Sequence, residues 1–234
     1  MHKAQAQLTV NVTSGIVEPL PIALNPVYES DSEAERVGND ILRLVESNLN
    51  KSGLFNVLDS KGFIERIDNA QVYPHYASWR SINAQTLLIV DMSFVDDDKI
   101  KIGYRLWNTL SEELLHEDAH ITTKTNWRRL GHLISDRIYH TMIGDEPYFD
   151  TRIVYIAEKG FMKDRKKFLA IMDQDGGNHK LLTRGDHLVL TPRFSPVRQQ
   201  VIYMSYEDRT PSVYLYDLEA ETREKLGNFP GMSY

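Results

Sequence analysis

Two stretches near the C-terminus repeat one another. RIVYIAE (152–158) aligns with QVIYMSYE (200–207), and KFLAIMDQDGGNHKLLT (167–183) aligns with SVYLYDLEAETREKLG (212–227). Tyr155 then matches Tyr203, Asp173 matches Asp217 and Leu182 matches Leu226, a spacing of 44 to 48 residues. Short β-rich runs between turn clusters at that period are the mark of propeller blades. A blade buries its faces only against its neighbours, so such rings close with at least about four. The chain holds fewer than two full units and reaches Tyr234 where the next strand is due. The expectation is a truncated piece of a longer protein; a self-contained two-sheet domain is the alternative.

Ahead of the repeat the periodicity is mixed, which predicts a compact α/β domain over about 21–146. PIALNPVY from Pro21, LFNVLD and AQTLLIVDMSFV read as strands, as do Lys99 to Trp107 and Leu114 to Thr123. Ser32 and Glu35 have capping-box spacing, and Val37, Ile41, Leu44, Val45 and Leu49 follow on one helical face until Gly53. A short helix is expected around Tyr76 to Ile82. A longer one is marked by Trp127, Leu130, Leu133, Ile134, Ile138 and Met142, capped near Asn126 and closed at Gly144. Residues 1–20 form an N-terminal arm, and 147–234 hold the repeats. Within the arm Leu8, Val10 and Val12 alternate as in a strand, a pattern suited to pairing with a sheet edge.

One motif carries possible chemistry. His116-Glu117-Asp118-Ala119-His120 satisfies H-E-x-x-H. On a helix both imidazoles would share a face and bind zinc, which is the basis of an alternative reading as a zinc-dependent hydrolase. On a strand they would stand roughly 13 Å apart. Alternation through Leu115, Glu117, Ala119, Ile121 and Thr123 favours the strand, so no metal, cofactor or catalytic residue is assigned.

Other matches read as ordinary structure. DQDGGN (173–178) resembles the start of a calcium loop, but Arg184 stands where the bidentate glutamate belongs, and hairpin-turn chemistry explains it. Asp96-Asp97-Asp98 reads as a solvated turn. Arg184-Gly185-Asp186 spells an adhesion tripeptide that chance supplies, and His75, His132 and His140 read as surface or core-edge residues. The cluster Lys163, Arg165, Lys166 and Lys167 reads as a solvated loop. A net charge of −6 argues against nucleic acid as a partner, the absence of cysteine excludes disulfides, and no apolar run reaches transmembrane length.

The order of parts, together with SGIVEPLPIALNP, LNKSGLFNVLD, WRRLGHLISDRIYHTMIGDEPYFDTRIVYI, TPRFSP and IYMSYEDRTPSVYLYDLE, resembles the TolB family of the Tol–Pal cell-envelope system. One departure is Pro196-Val197-Arg198, where the family usually has Pro-Asp-Gly. The resemblance implies an α/β N-terminal domain followed by an incomplete propeller, fewer than two of about six blades. It implies a non-enzymatic periplasmic scaffold that relays between TolA and Pal, the peptidoglycan-associated lipoprotein, supporting outer-membrane integrity and constriction at division. The arm positions matching the family's TolA-binding segment are Gln7, Leu8, Thr9, Val10, Asn11, Val12, Thr13 and Ser14, and the implied contact is with the TolA C-terminal domain. Pal would meet the propeller, weakly for this chain because most of that surface is expected beyond Tyr234. Ala4-Gln5-Ala6 fits the remnant of a cleaved signal peptide, with Gln7 the first mature residue. A peptidase whose propeller guards a separate catalytic domain is a third possibility; the reading frame past Tyr234 would discriminate, with about four further repeats expected for the relay.

Overall fold

The computed structural model describes residues 18–28, 32–161, 163–207 and 210–227. The chain forms two compact units, Met1–Asp150 and Thr151–Tyr234.

The first unit is built on a five-stranded sheet in the order β2-β1-β3-β4-β5. Its strands are β1 (Leu20–Tyr28), β2 (Phe55–Val57), β3 (Thr86–Phe94), β4 (Lys99–Asn108) and β5 (Glu113–Thr123). β1 runs parallel to both β2 and β3, whereas β3, β4 and β5 are antiparallel. Parallel neighbours need crossovers. Helix α1 (Ser32–Lys51) makes the first, and the segment carrying α2 (Tyr76–Ser81) makes the second.

Each sheet face has its own core. Ile22, Leu24, Leu88, Val90, Ile100, Ile102 and Leu106 point towards α1 and α3 (Trp127–Ile143), where Val37, Ile41, Val45, Leu49, Ile134 and Ile138 meet them. On the opposite face Ala23, Leu87, Ile89 and Trp107 pack against Trp79 of α2 and against Ile67 and Ala70 of the preceding loop. Asn25 pins that loop from within: its Nδ2 donates to the Ile67 carbonyl at 2.8 Å, and its Oδ1 accepts the Ile67 N–H at 3.2 Å. A buried amide is stable there because both of its ends are bonded.

Pro26 sits inside a sheet strand, normally an unfavourable place. Even-numbered residues of β1 face β2, as Leu20 N–H to the Leu54 carbonyl and Leu58 N–H to the Ile22 carbonyl show. β2 pairs with β1 only at Leu20, Pro21 and Ile22, so the N–H that Pro26 lacks has no strand opposite it.

The expected helix faces hold, with exceptions. Leu133 is 37% exposed and lies off the buried stripe of α3. Asn126 occupies the N-cap position but makes no side-chain cap; its amide donates to Thr122 Oγ1 at 3.2 Å. Gly144 closes α3 at φ 86°, returning its N–H to the His140 carbonyl. Gly53 takes φ 72° just past α1. The side chain of Ser32, and with it the capping-box expectation, lies outside the described residues.

The second unit contains two antiparallel sheets. β6 (Arg152–Lys159), β7 (Lys166–Asp173) and β8 (Lys180–Leu181) form one; β9 (Val189–Phe194), β10 (Gln200–Ser205), β11 (Ser212–Asp217) and β12 (Thr222–Gly227) form the other. The sequence repeat is a register repeat: Arg152 faces Asp173 as Gln200 faces Asp217. Both aspartates organise the turn that follows. Asp173 Oδ2 accepts from Asn178 Nδ2 at 2.7 Å, and Asp217 Oδ1 accepts the N–H groups of Glu219 and Ala220. Leu169, Val189, Val201, Tyr203, Tyr214 and Tyr216 form the core of this unit.

Candidate functional site

The H-E-x-x-H stretch lies wholly within β5, an edge strand of the first sheet. β5 is antiparallel to β4, with His116 opposite Leu106, Asp118 opposite Tyr104 and His120 opposite Ile102. The zinc-hydrolase alternative asks for a helix here, and the residues form a strand instead. Both imidazoles pack on one ring, Tyr104, with centroids 5.8 Å (His116) and 6.0 Å (His120) away. An aromatic ring thus occupies the space that a shared metal would need.

The face of β5 turned towards the helices is not the Leu115-to-Thr123 alternation that marks the strand in sequence. Residues opposite Tyr104 and Ile102 share their side of the sheet, so His116, Asp118 and His120 face the helical layer. Ile121, on the alternation that identified the strand, is 61% exposed. The polar set balances itself. His120 Nε2 lies 3.4 Å from Asp118 Oδ2. Burial, then the Arg137 guanidinium, push the His116 imidazole below its ordinary value. Burial likewise raises the Tyr104 phenol, with Asp118 adding to the effect. On the other face Arg105 Nε donates to Glu117 Oε1 at 2.7 Å, while its other nitrogens reach the Ala70 carbonyl and Gln71 Oε1, the latter at 2.8 Å. Neither Tyr104 nor Arg105 is singled out by sequence. Their signal is the β4–β5 register, which only a known pairing supplies.

The remaining flagged groups have structural partners. DQDGGN makes the β7–β8 hairpin, and Asp96 Oδ1 accepts the N–H groups of Asp98 and Lys99 in the β3–β4 turn. Arg165 and Lys167 both pair with Glu158. His75 bonds Ser78, and His140 reaches the Asp145 carbonyl. His132 departs from expectation: it is 1% exposed, with its Nδ1 3.1 Å from Asn48 Nδ2 between α1 and α3. No helix among the described residues is long and apolar enough to cross a membrane.

With this geometry in hand, comparison with known proteins is decisive. The family model of the TolB amino-terminal domain matches residues 8–115, and that of the TolB beta propeller domain matches 139–234. The Tol-Pal system protein TolB of Paramagnetospirillum magneticum is 42% identical over 231 residues, covering 99% of this chain and 52% of that protein. The chain belongs to the TolB family. The Pelagibacter ubique TolB is 43% identical over 241 residues, covering 99% of this chain and 54% of its own length. The chain therefore spans about half the length of these TolB relatives. The crystal structure of TolB from Acinetobacter baumannii shares the fold at a TM-score of 0.75 and 24% identity, over 91% of this chain and 50% of that one.

The TolB arm positions Gln7, Leu8, Thr9, Val10, Asn11, Val12, Thr13 and Ser14 lie outside the described residues. What is described is the entry of the arm into the TolB N-terminal domain: Glu18 and Pro19 are exposed, and Leu20 joins the sheet through its N–H to the Leu54 carbonyl. In the TolB repeat the unusual Pro196-Val197-Arg198 turn is held by Ser195, whose Oγ accepts the N–H groups of Val197 and Arg198, with Val197 84% exposed.

Proposed function

We propose that this chain is a non-enzymatic periplasmic scaffold of the Tol–Pal system, relaying between the TolA C-terminal domain and Pal in support of outer-membrane integrity and constriction. The observation that carries this reading is the succession of TolB amino-terminal and propeller sequence in one chain at 42% identity to a curated TolB. TolA is taken by the arm, Gln7 to Ser14. An extended segment gains affinity by main-chain hydrogen bonding to a sheet edge, with alternate side chains setting specificity. Leu8, Val10 and Val12 are the same-face anchors. Pal is taken by the propeller, and this stretch engages it weakly. Coupling between the two partners follows if each biases a two-state arm differently.

Calorimetry on the 234-residue chain tests the relay. The expected result is TolA binding that disappears when residues 7–14 are deleted, with Pal binding at least tenfold weaker than TolA binding, a difference of about 1.4 kcal/mol. TolA affinity unchanged by the deletion, or tight Pal binding, would overturn it.

A further inference from the structure

The second unit contains a cleft of about 380 Å³ between the β8–β9 loop and the sheet of β10, β11 and β12. That volume lies within the range of small-ligand pockets, about 300–1,000 Å³. Leu182 and Val189 give it an apolar wall. Its floor is Tyr203, 2% exposed, whose hydroxyl is buried without a hydrogen bond of normal geometry. The Arg223 guanidinium lies beside that phenol and lowers its otherwise burial-raised pKa.

The polar walls are fixed in advance. Arg223 Nη2 donates to Glu207 Oε1 at 2.7 Å, and its guanidinium lies over the Tyr214 ring at 5.5 Å. Tyr214 in turn stacks on Tyr203 with centroids 5.7 Å apart. Opposite them the Arg184-Gly185-Asp186 tripeptide, which sequence reading set aside, forms the rim. Gly185 takes φ 76°, and a Cβ there would stand 2.4 Å from the Phe168 ring. The rim is thus seated against β7 by a residue that has to be glycine.

The chemistry of the lining selects its occupant. The formal charges of Arg184, Arg223, Asp186 and Glu207 cancel, and His187, also in the lining, has its Nε2 3.7 Å from Glu207 Oε1. The hydrogen bond from Arg223 holds the Glu207 carboxyl below its ordinary range, so an entering anion would meet a carboxylate and an entering cation a guanidinium. A hydroxyl group meets neither obstacle, because it both donates and accepts. It can give its proton to Glu207 or Asp186 and receive one from Arg223, Arg184 or Thr183. We infer that this cleft is a binding site for a neutral, hydroxyl-rich small molecule of the saccharide class. The inference does not use the TolA and Pal reading, and failure of either partner to bind leaves it untouched.

Titration of the ¹⁵N-labelled full chain tests it, with N,N′-diacetylchitobiose and maltose as neutral probes and glutarate as the charged comparator. The expected result is amide shifts concentrated at residues 183–187, 205–207 and 223 for a neutral sugar, with a Kd on the order of 1–10 mM. Asp186→Ala and Arg223→Gln should each weaken that binding about tenfold while leaving amide dispersion elsewhere unchanged. Should Arg223→Gln disturb the sheet, Asp186→Ala decides alone, since that residue is exposed on the rim of the cleft. Absence of sugar shifts, equal affinity in the variants, or a response confined to glutarate or an acidic peptide would overturn the assignment.

Discussion

The carboxylate of Asp136, on α3, holds the backbone N–H of Phe149 at 2.7 Å. Its second oxygen takes the Asp150 N–H at 3.0 Å, so one side chain fastens the segment that follows the helix. Burial nevertheless raises this carboxyl above its ordinary range, outweighing the two hydrogen bonds. Asp136→Asn keeps one acceptor and turns a donor towards the other N–H. It is expected to cost about 1–2 kcal/mol in urea unfolding at pH 7. The sign of the pH effect is distinctive. A carboxyl raised in the fold binds its proton more readily there, so its contribution grows as pH falls from the folded value towards the unfolded one. Without it, the acid-side decline in stability of Asp136→Asn should be steeper than that of the parent.

His116 works in the opposite sense. Its folded pKa lies below the unfolded value because burial and Arg137 disfavour the imidazolium. The stability it contributes is complete above the unfolded value, about 6.5, and is lost as pH falls through the folded one. His116→Phe keeps a ring against Tyr104 and removes the titration. Its unfolding free energy should fall less between pH 7 and pH 5 than that of the parent, and an unchanged difference would refute this account.

At Gly38 two effects oppose each other. Replacing a mid-helix glycine with alanine favours the helix by about 1 kcal/mol. A Cβ at this position, however, would stand 2.4 Å from Cε1 of Tyr28. That ring is tethered, because its hydroxyl donates to Asn39 Oδ1 at 2.8 Å. Overpacking of this kind costs about 1–3 kcal/mol. Gly38→Ala is therefore expected to lower the melting temperature, and a rise would show that the ring moves aside freely.

Asn48 lies buried between α1 and α3, with Nδ2 3.1 Å from His132 Nδ1 and 3.0 Å from Ser135 Oγ. Asn48→Ala removes both contacts from a fully buried site. A loss of about 1–3 kcal/mol is expected, with faster amide exchange in both helices.

The parts of this fold that sequence disclosed are those in which one strong period acts alone. The α1 face from Val37 to Leu49 is buried throughout, and β3 is apolar on both faces because the sheet is covered on both sides. The register repeat was also visible, since Asp173 and Asp217 hold equivalent places opposite Arg152 and Gln200. Legibility failed where a side chain had two competing partners. Asn126 stands where a cap belongs but spends its amide on Thr122, and Leu133 has helical spacing yet faces water. It failed again where an arrangement depends on pairing across the chain. Tyr104 between two histidines, and Arg223 above Tyr214, are products of strand register and leave no local pattern.

The edge position of β5 has one more consequence. The strand pairs with β4 along one side, with Leu115 set aside at a bulge, and a foreign strand laid along the other would have to match a helix-side row of His116, Asp118 and His120. Strands with charge turned inward resist such additions, because the newcomer must shield ionisable groups from water without supplying counter-charges. Along the β5 edge the domain can therefore tolerate close neighbours without its sheet growing into theirs.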